Sequence, residues 1–228
     1  MAENRRTRRT KRALKAAIVS LVLERGYEAV TIEDITEEAD ISRATFYAYY
    51  RDKQSLLTQI VLDLQEELRL RLADLRLQER SYFSGQAVRA LFEHAAEERD
   101  AYRVILRGEG NGIALREFVD ARTAASKAIF EKRAEVTGAE FRLDPEVLTR
   151  AWVGEQVTVL QWWLEPEAPP MSAAEVARIL TDLSIHGRMW ASGFDEVPEV
   201  PEGERGSPLS AEPSPGAGAA GGEASREA

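Results

Sequence analysis

Arg43, Ala44, Thr45, Tyr47 and Tyr49 crowd into seven positions, and their side chains suit contact with a duplex edge better than any reaction. A guanidinium pairs bidentately with guanine N7 and O6, and the methyls of Ala44 and Thr45 suit the thymine methyl. The phenols of Tyr47 and Tyr49 reach phosphate or sugar, contacts that position without specifying. Residues in the opposite phase, Ile35, Ile41, Phe46 and Tyr50, are spaced to face inward together. By periodicity alone Tyr49 keeps a second reading as core. Ser42 is an N-cap for a helix over about 43–49, and Thr31 with Asp34 approaches a capping box for one over about 32–39. Between them Asp40-Ile41 breaks the pattern. Two short helices joined by a tight turn form a helix-turn-helix, whose natural partner is double-stranded DNA. Thr31, Ser42 and Lys53 stand at helix N-termini, where backbone amides and the positive dipole end favour phosphate.

The surrounding elements must hold that pair of helices. Leu14, Ala17, Ile18, Leu21 and Val22 form a helical stripe in a support helix over about 11–25, ended by Gly26. Asp52 caps a long helix from Lys53 to about Gln78, apolar at Leu57, Ile60, Val61, Leu64, Leu68, Leu72 and Leu75. With one end at the reading head and the other in the body, it is the mechanical link. Further helices are expected over about 86–98, 101–107 and 113–136. Asp144-Pro145 opens another that stops before Pro166, and Ser172 with Glu175 opens the last, expected to run through Met189 and Trp190 to Gly193. The glycine-rich stretch 108–112 superficially suggests phosphate binding. It follows a helix rather than a strand, so it reads as a flexible helix connection.

The run Gly26-Tyr27-Glu28-Ala29-Val30-Thr31-Ile32, then Ile35, Ala39 and Ile41 to Tyr50, then Asp52-Lys53 and Leu56-Leu57, resembles the N-terminal domain of TetR-family transcriptional regulators. Asp40 stands where that family usually has Gly, in a turn that needs a left-handed residue, and Thr36 replaces a usual Ala. The resemblance implies an all-α fold: an N-terminal three-helix DNA-binding domain plus a larger helical ligand-binding and dimerisation domain. It implies a homodimer on a palindromic operator, a small-molecule effector and release of a repressor from DNA. The last two helices, with wide apolar faces, suit a four-helix bundle between chains or completion of the monomer's core. For the effector, Tyr102, Phe118, Trp152, Trp162 and Trp163 are candidate lining, with Arg122 or Gln156 as polar handles. Core packing is the competing reading of each.

Composition narrows the classes. The chain has 228 residues and a formal net charge of −9. Through Ser55, eleven Lys and Arg face nine Asp and Glu, a balance of +2, leaving −11 on the remainder. Six basic residues lie within the first twelve positions, at the end that would meet phosphates. There is no cysteine and there are two histidines, which argues against thiolate or histidine-rich metal sites, and no cofactor is expected. No apolar run is long enough for a membrane span, and a cytoplasmic location is expected. No nucleophile–base pairing points to an enzyme. The expected organisation is a mobile basic arm over 1–10, following phosphates or entering a minor groove, or else a solvated tail. The DNA-binding domain then covers 11–55, the helical body 56–195, and a disordered acidic Pro/Gly/Ala-rich tail 196–228. A DNA-bound adaptor or architectural protein, controlled by a protein partner, is the alternative function.

Overall fold

The computed structural model describes residues 5–78 and 85–192. Among them the chain forms nine helices and no strand: α1 (Arg5–Arg25), α2 (Ile32–Glu38), α3 (Arg43–Tyr47), α4 (Lys53–Gln78), α5 (Gln86–Glu97), α6 (Arg99–Leu106), α7 (Ile113–Thr137), α8 (Pro145–Leu164) and α9 (Ala173–Ala191). The expected tail over 196–228 and residues 1–4 of the arm lie outside the described residues.

Short polar side chains set the helix starts. The Thr31 hydroxyl accepts the Asp34 N–H at 3.1 Å while the Asp34 carboxylate accepts the Thr31 N–H at 2.8 Å, a reciprocal capping box. Ser42 caps α3 through the Thr45 N–H at 3.2 Å, and Asp52 caps α4 through the Ser55 N–H at 2.7 Å. Asp144 takes two N–H groups ahead of α8, with Pro145 in the first turn. Ser172 and Glu175 repeat the capping box before α9.

α1, α2 and α3 close a small core of Leu14, Ile18, Val22, Ile35 and Phe46, each fully buried. α4 carries Leu57, Ile60, Val61, Leu64 and Leu68 along one buried face. Its 26 residues span about 39 Å at 1.5 Å each, long enough to run from head to body. In the body α4 packs on α5 and α7, α7 on α8, and α5 on α9.

Two expectations need correction. Residues 5–10 are not a mobile arm but the first turns of α1. Arg and Lys lose little rotamer freedom in a helix, and these turns extend one already nucleated by the buried stripe from Leu14 to Val22. The second departure is in α9, where Gly187 has φ +84° and ψ 171° and interrupts the helix.

Candidate nucleic-acid interface

The turn between α2 and α3 shows how the reading surface is set. Ala39 ends α2 and Asp40 adopts φ +51°, the left-handed conformation that glycine usually supplies and Asp tolerates. The Ile41 N–H returns to the Thr36 carbonyl at 3.0 Å and the Asp40 N–H to the Glu37 carbonyl at 3.1 Å, closing a Schellman motif. Thr36 is buried and donates its hydroxyl to the Glu33 carbonyl at 3.0 Å, so it adds no orphaned polar group.

On α3, Phe46 points inward while Arg43 and Ala44 are exposed and Tyr47 is half exposed. Thr45 is half-buried, and its hydroxyl shares a 2.9 Å hydrogen bond with Ser42. Arg43 Nη1 lies 3.7 Å from Glu33 Oε2 on α2, a contact the sequence reading missed. Because α3 ends at Tyr47, Tyr49 sits in the turn beyond it, exposed, with its phenol 3.5 Å from the Thr7 hydroxyl on α1. Arg5, Arg8, Arg9 and Arg12 are exposed on the same end of α1. Tyr50 is buried.

Lys53 departs most from expectation. A cation at the first position of α4 faces the positive end of the helix dipole. It turns back instead, donating to the Tyr27 carbonyl at 2.7 Å and the Val30 carbonyl at 2.9 Å, with its ammonium 4.2 Å from the Tyr27 ring centre. Burial, with help from Asp52 and Glu28, pushes the Tyr27 phenol up to about 12. The Lys53 side chain is thus a brace inside the head, and only its backbone N–H remains at the helix end.

The residues singled out for an effector come together in the body. Tyr102 of α6 and Phe118 of α7 meet edge to face at 5.7 Å. Arg122 donates to the Gln156 side chain at 3.3 Å, and Gln156 donates to the Trp152 carbonyl at 3.1 Å. All five are buried, and Phe118 and Arg122 stand one turn apart on α7. Trp163 is core, stacked edge-on against Phe92 and donating to the Met171 carbonyl at 2.7 Å. Trp162 is 48 % exposed on the outer side of α8, away from that cluster. Sequence reasoning missed His94, fully buried, with Nδ1 2.9 Å from the Tyr102 hydroxyl and Nε2 3.2 Å from Glu67 on α4. Burial pushes the Tyr102 phenol far above its ordinary range. No helical period marks a lone His as part of such a chain, so nothing in the sequence gave it away. A cleft of about 710 Å³ lies elsewhere, where α1, α4 and α6 meet, lined by Lys15, Asp63, Glu67, Glu97 and Glu98 among others.

A capped helix pair on a small core, with an exposed second helix carrying Arg, Thr and Tyr, defines a helix-turn-helix DNA-binding regulator. The model of the family described as "Bacterial regulatory proteins, tetR family" matches residues 14–60. YxbF, an uncharacterised HTH-type transcriptional regulator of Bacillus subtilis, is 41% identical over 55 residues, which cover 24% of this chain but only 14% of YxbF. YhgD of the same organism is 23% identical over 187 residues, 78% of this chain and 96% of that one. A crystal structure assigned to the TetR family, from Syntrophomonas wolfei, superposes with a TM-score of 0.69 at 18% identity, over 82% of this chain and 97% of the other. Residues 14–60 are a TetR-family DNA-binding domain, and the described fold as a whole is like that of TetR-family structures. No described helix is long and apolar enough to cross a membrane.

Proposed function

We propose that the protein acts as a homodimer on a palindromic operator, as a repressor that a small-molecule effector releases. In this reading residues 11–55 are the DNA-binding domain, extended by the basic turn 5–10, and 56–195 are the effector and dimer body. Arg43 reads a base edge, with Ala44 and Thr45 beside it. Tyr47 and Tyr49, the helix end at Ser42 and the Lys53 amide hold phosphates, whereas Thr31, whose N–H and hydroxyl both go to Asp34, only shapes the start of α2.

One observation carries the dimer. Val147, Ala151, Gly154, Thr158 and Trp162 follow one another at helical spacing along α8, and every one is exposed. Ile179 on α9 is 45 % exposed, and a Cβ added at Gly154 would meet nothing within 4 Å. Small residues flanked by Val and Trp let two such helices approach closely and bury the aromatic ends. A single reading head touches too few base pairs for a unique address, and a two-fold pair of heads doubles the site.

For the effector, the Tyr102–Phe118–Arg122–Trp152–Gln156 cluster supplies an apolar lining and two polar handles. Since these side chains are buried in the core, an effector must favour a body conformation in which they part. If that conformation spaces the heads wrongly for successive major grooves, operator affinity falls by linkage. The test is sedimentation of the protein with a selected operator duplex, alone and with a library of small apolar acids and amides. The reading expects two chains, or a multiple of two, per duplex and at least one compound that dissociates them at fixed salt. One chain per duplex refutes the dimer. A complex that yields only to a protein partner supports the adaptor function instead.

A further inference from the structure

We propose that the glycine-rich loop 108–112 couples the body to the reading head, with the Glu109 carboxylate as its catch on Tyr27. This rests on the reading above, in which the body sets the pose of the head.

The catch begins with a donor that α1 leaves over. Gly26, at φ +79°, ends α1, and its N–H bonds the Val22 carbonyl at 2.9 Å. The next N–H, that of Tyr27, would return to the helix in a full Schellman motif. Here it donates to Glu109 Oε2, 82 residues further along the chain. Tyr27 is buried, so without Glu109 this N–H would lose a partner that water cannot readily replace.

Tyr27 is gripped from both sides. Lys53, the first residue of α4, holds its carbonyl and lies over its ring. On the other side the loop comes so close at Gly110 that a Cβ there would stand 2.8 Å from Tyr27 Cε1, and Gly110 has φ +64° besides. Close approach and a left-handed backbone both require glycine at this point. The loop therefore does more than end a helix: it is shaped to the reading head.

A second anchor lies at the opposite end of α6. Glu98, which precedes the helix, pairs with Lys15 of α1 at 2.8 Å. The eight residues of α6, about 12 Å long, are thus tied to the head before their start and after their end. Midway, α6 buries Tyr102 against Phe118 and His94. A shift of α6 at that cluster moves both anchors together, and with them the α1–α2 connection that sets the approach of the helix-turn-helix.

The test uses the full chain, which has no cysteine of its own to interfere with labelling. Spin labels go on Glu38→Cys in the head and Lys132→Cys in the body, both exposed positions, with labelled chain diluted in unlabelled chain. Distance distributions are compared for the parent, Glu109→Ala, Gly110→Ala and Glu109→Gln. The alanine variants are expected to broaden or shift the head–body distance, and Glu109→Gln, which keeps a carbonyl acceptor for the Tyr27 N–H, to preserve it. Glu109→Ala is also expected to change affinity for a selected operator by about fivefold or more. Unchanged distances in both alanine variants overturn the proposal. So do altered distances with unaltered operator affinity, because the catch is then structural only. Failure to select any operator retires the functional reading, whereas the label distances still decide whether Glu109 fixes the head.

Discussion

Lys53→Met separates a brace inside the head from a ligand for DNA. The ammonium bonds two carbonyls at 2.7 and 2.9 Å and lies 4.2 Å from the Tyr27 ring, and methionine reproduces the stem but none of these contacts. Hydrogen bonds to charged groups contribute roughly 1.5–3 kcal/mol each, and a cation over a ring about 0.5–1 kcal/mol at a partly exposed site. Lys53 is half-buried, so water recovers part of the loss, and contributions sharing one group do not simply add. A net destabilisation of about 3 kcal/mol follows. For a chain of this size each kcal/mol lowers Tm by about 2–4 °C, so a fall of roughly 6–12 °C is expected by circular dichroism near neutral pH. In parallel, the slope of log binding constant against log salt is measured on any duplex that binds. A phosphate ligand would flatten that slope by about one unit when removed, whereas a brace leaves it unchanged at temperatures where the variant is folded. An unchanged Tm with a flattened slope refutes the reasoning.

Arg43→Ala should lower operator affinity by about 1–3 kcal/mol and relax preference at one base pair of each half-site, read by competition among duplexes differing at single positions. Gly154→Arg sets a long charged side chain into open space on α8; it should leave Tm nearly unchanged while sedimentation velocity shows loss of the dimer. Hydrogen bonds from Thr31 hold the Asp34 carboxyl below its ordinary range, those from the Ser55 backbone and Arg51 do so for Asp52, and those from Ser172 for Glu175. A depressed folded value means the stabilisation is present above the ordinary carboxylate range and lost as pH falls through the folded values. Tm should accordingly drop below about pH 4, and less steeply in Asp34→Asn. His94→Leu removes the partner of the buried Tyr102 hydroxyl and should cost about 1–3 kcal/mol in thermal unfolding.

The helices were legible because their starts are written in short local signals. Thr31–Asp34, Ser42, Asp52, Asp144-Pro145 and Ser172–Glu175 each cap where the sequence predicts, since a cap depends on residues within one turn. On α3 the period places Arg43, Ala44 and Tyr47 outward and Phe46 inward, as expected, but Thr45 is half-buried and Tyr49 lies beyond the helix end. What escaped depends on distant partners. The bonds of Lys53 to Tyr27 and Val30 span 26 and 23 residues, and that of Glu109 to Tyr27 spans 82. Helical spacing on α8 gave Trp162 and Trp163 as neighbours, yet only packing decides that one is core and the other faces out. The glycine-rich loop was legible as a helix connection, but its close fit to Tyr27 was not, because a loop's neighbours are set by the whole fold. The basic end of α1 erred the other way: polarity suggested a free arm, while continuity with a packed helix kept it helical.

Selection of bound sites from a random duplex library, at a fixed and stated salt concentration, tests the central claim most directly. A dimeric reader predicts an enriched palindrome whose half-sites lie about one helical turn, roughly 34–36 Å, or slightly more apart. Binding to every duplex alike, strongly weakened by salt and with no enriched motif, would contradict it.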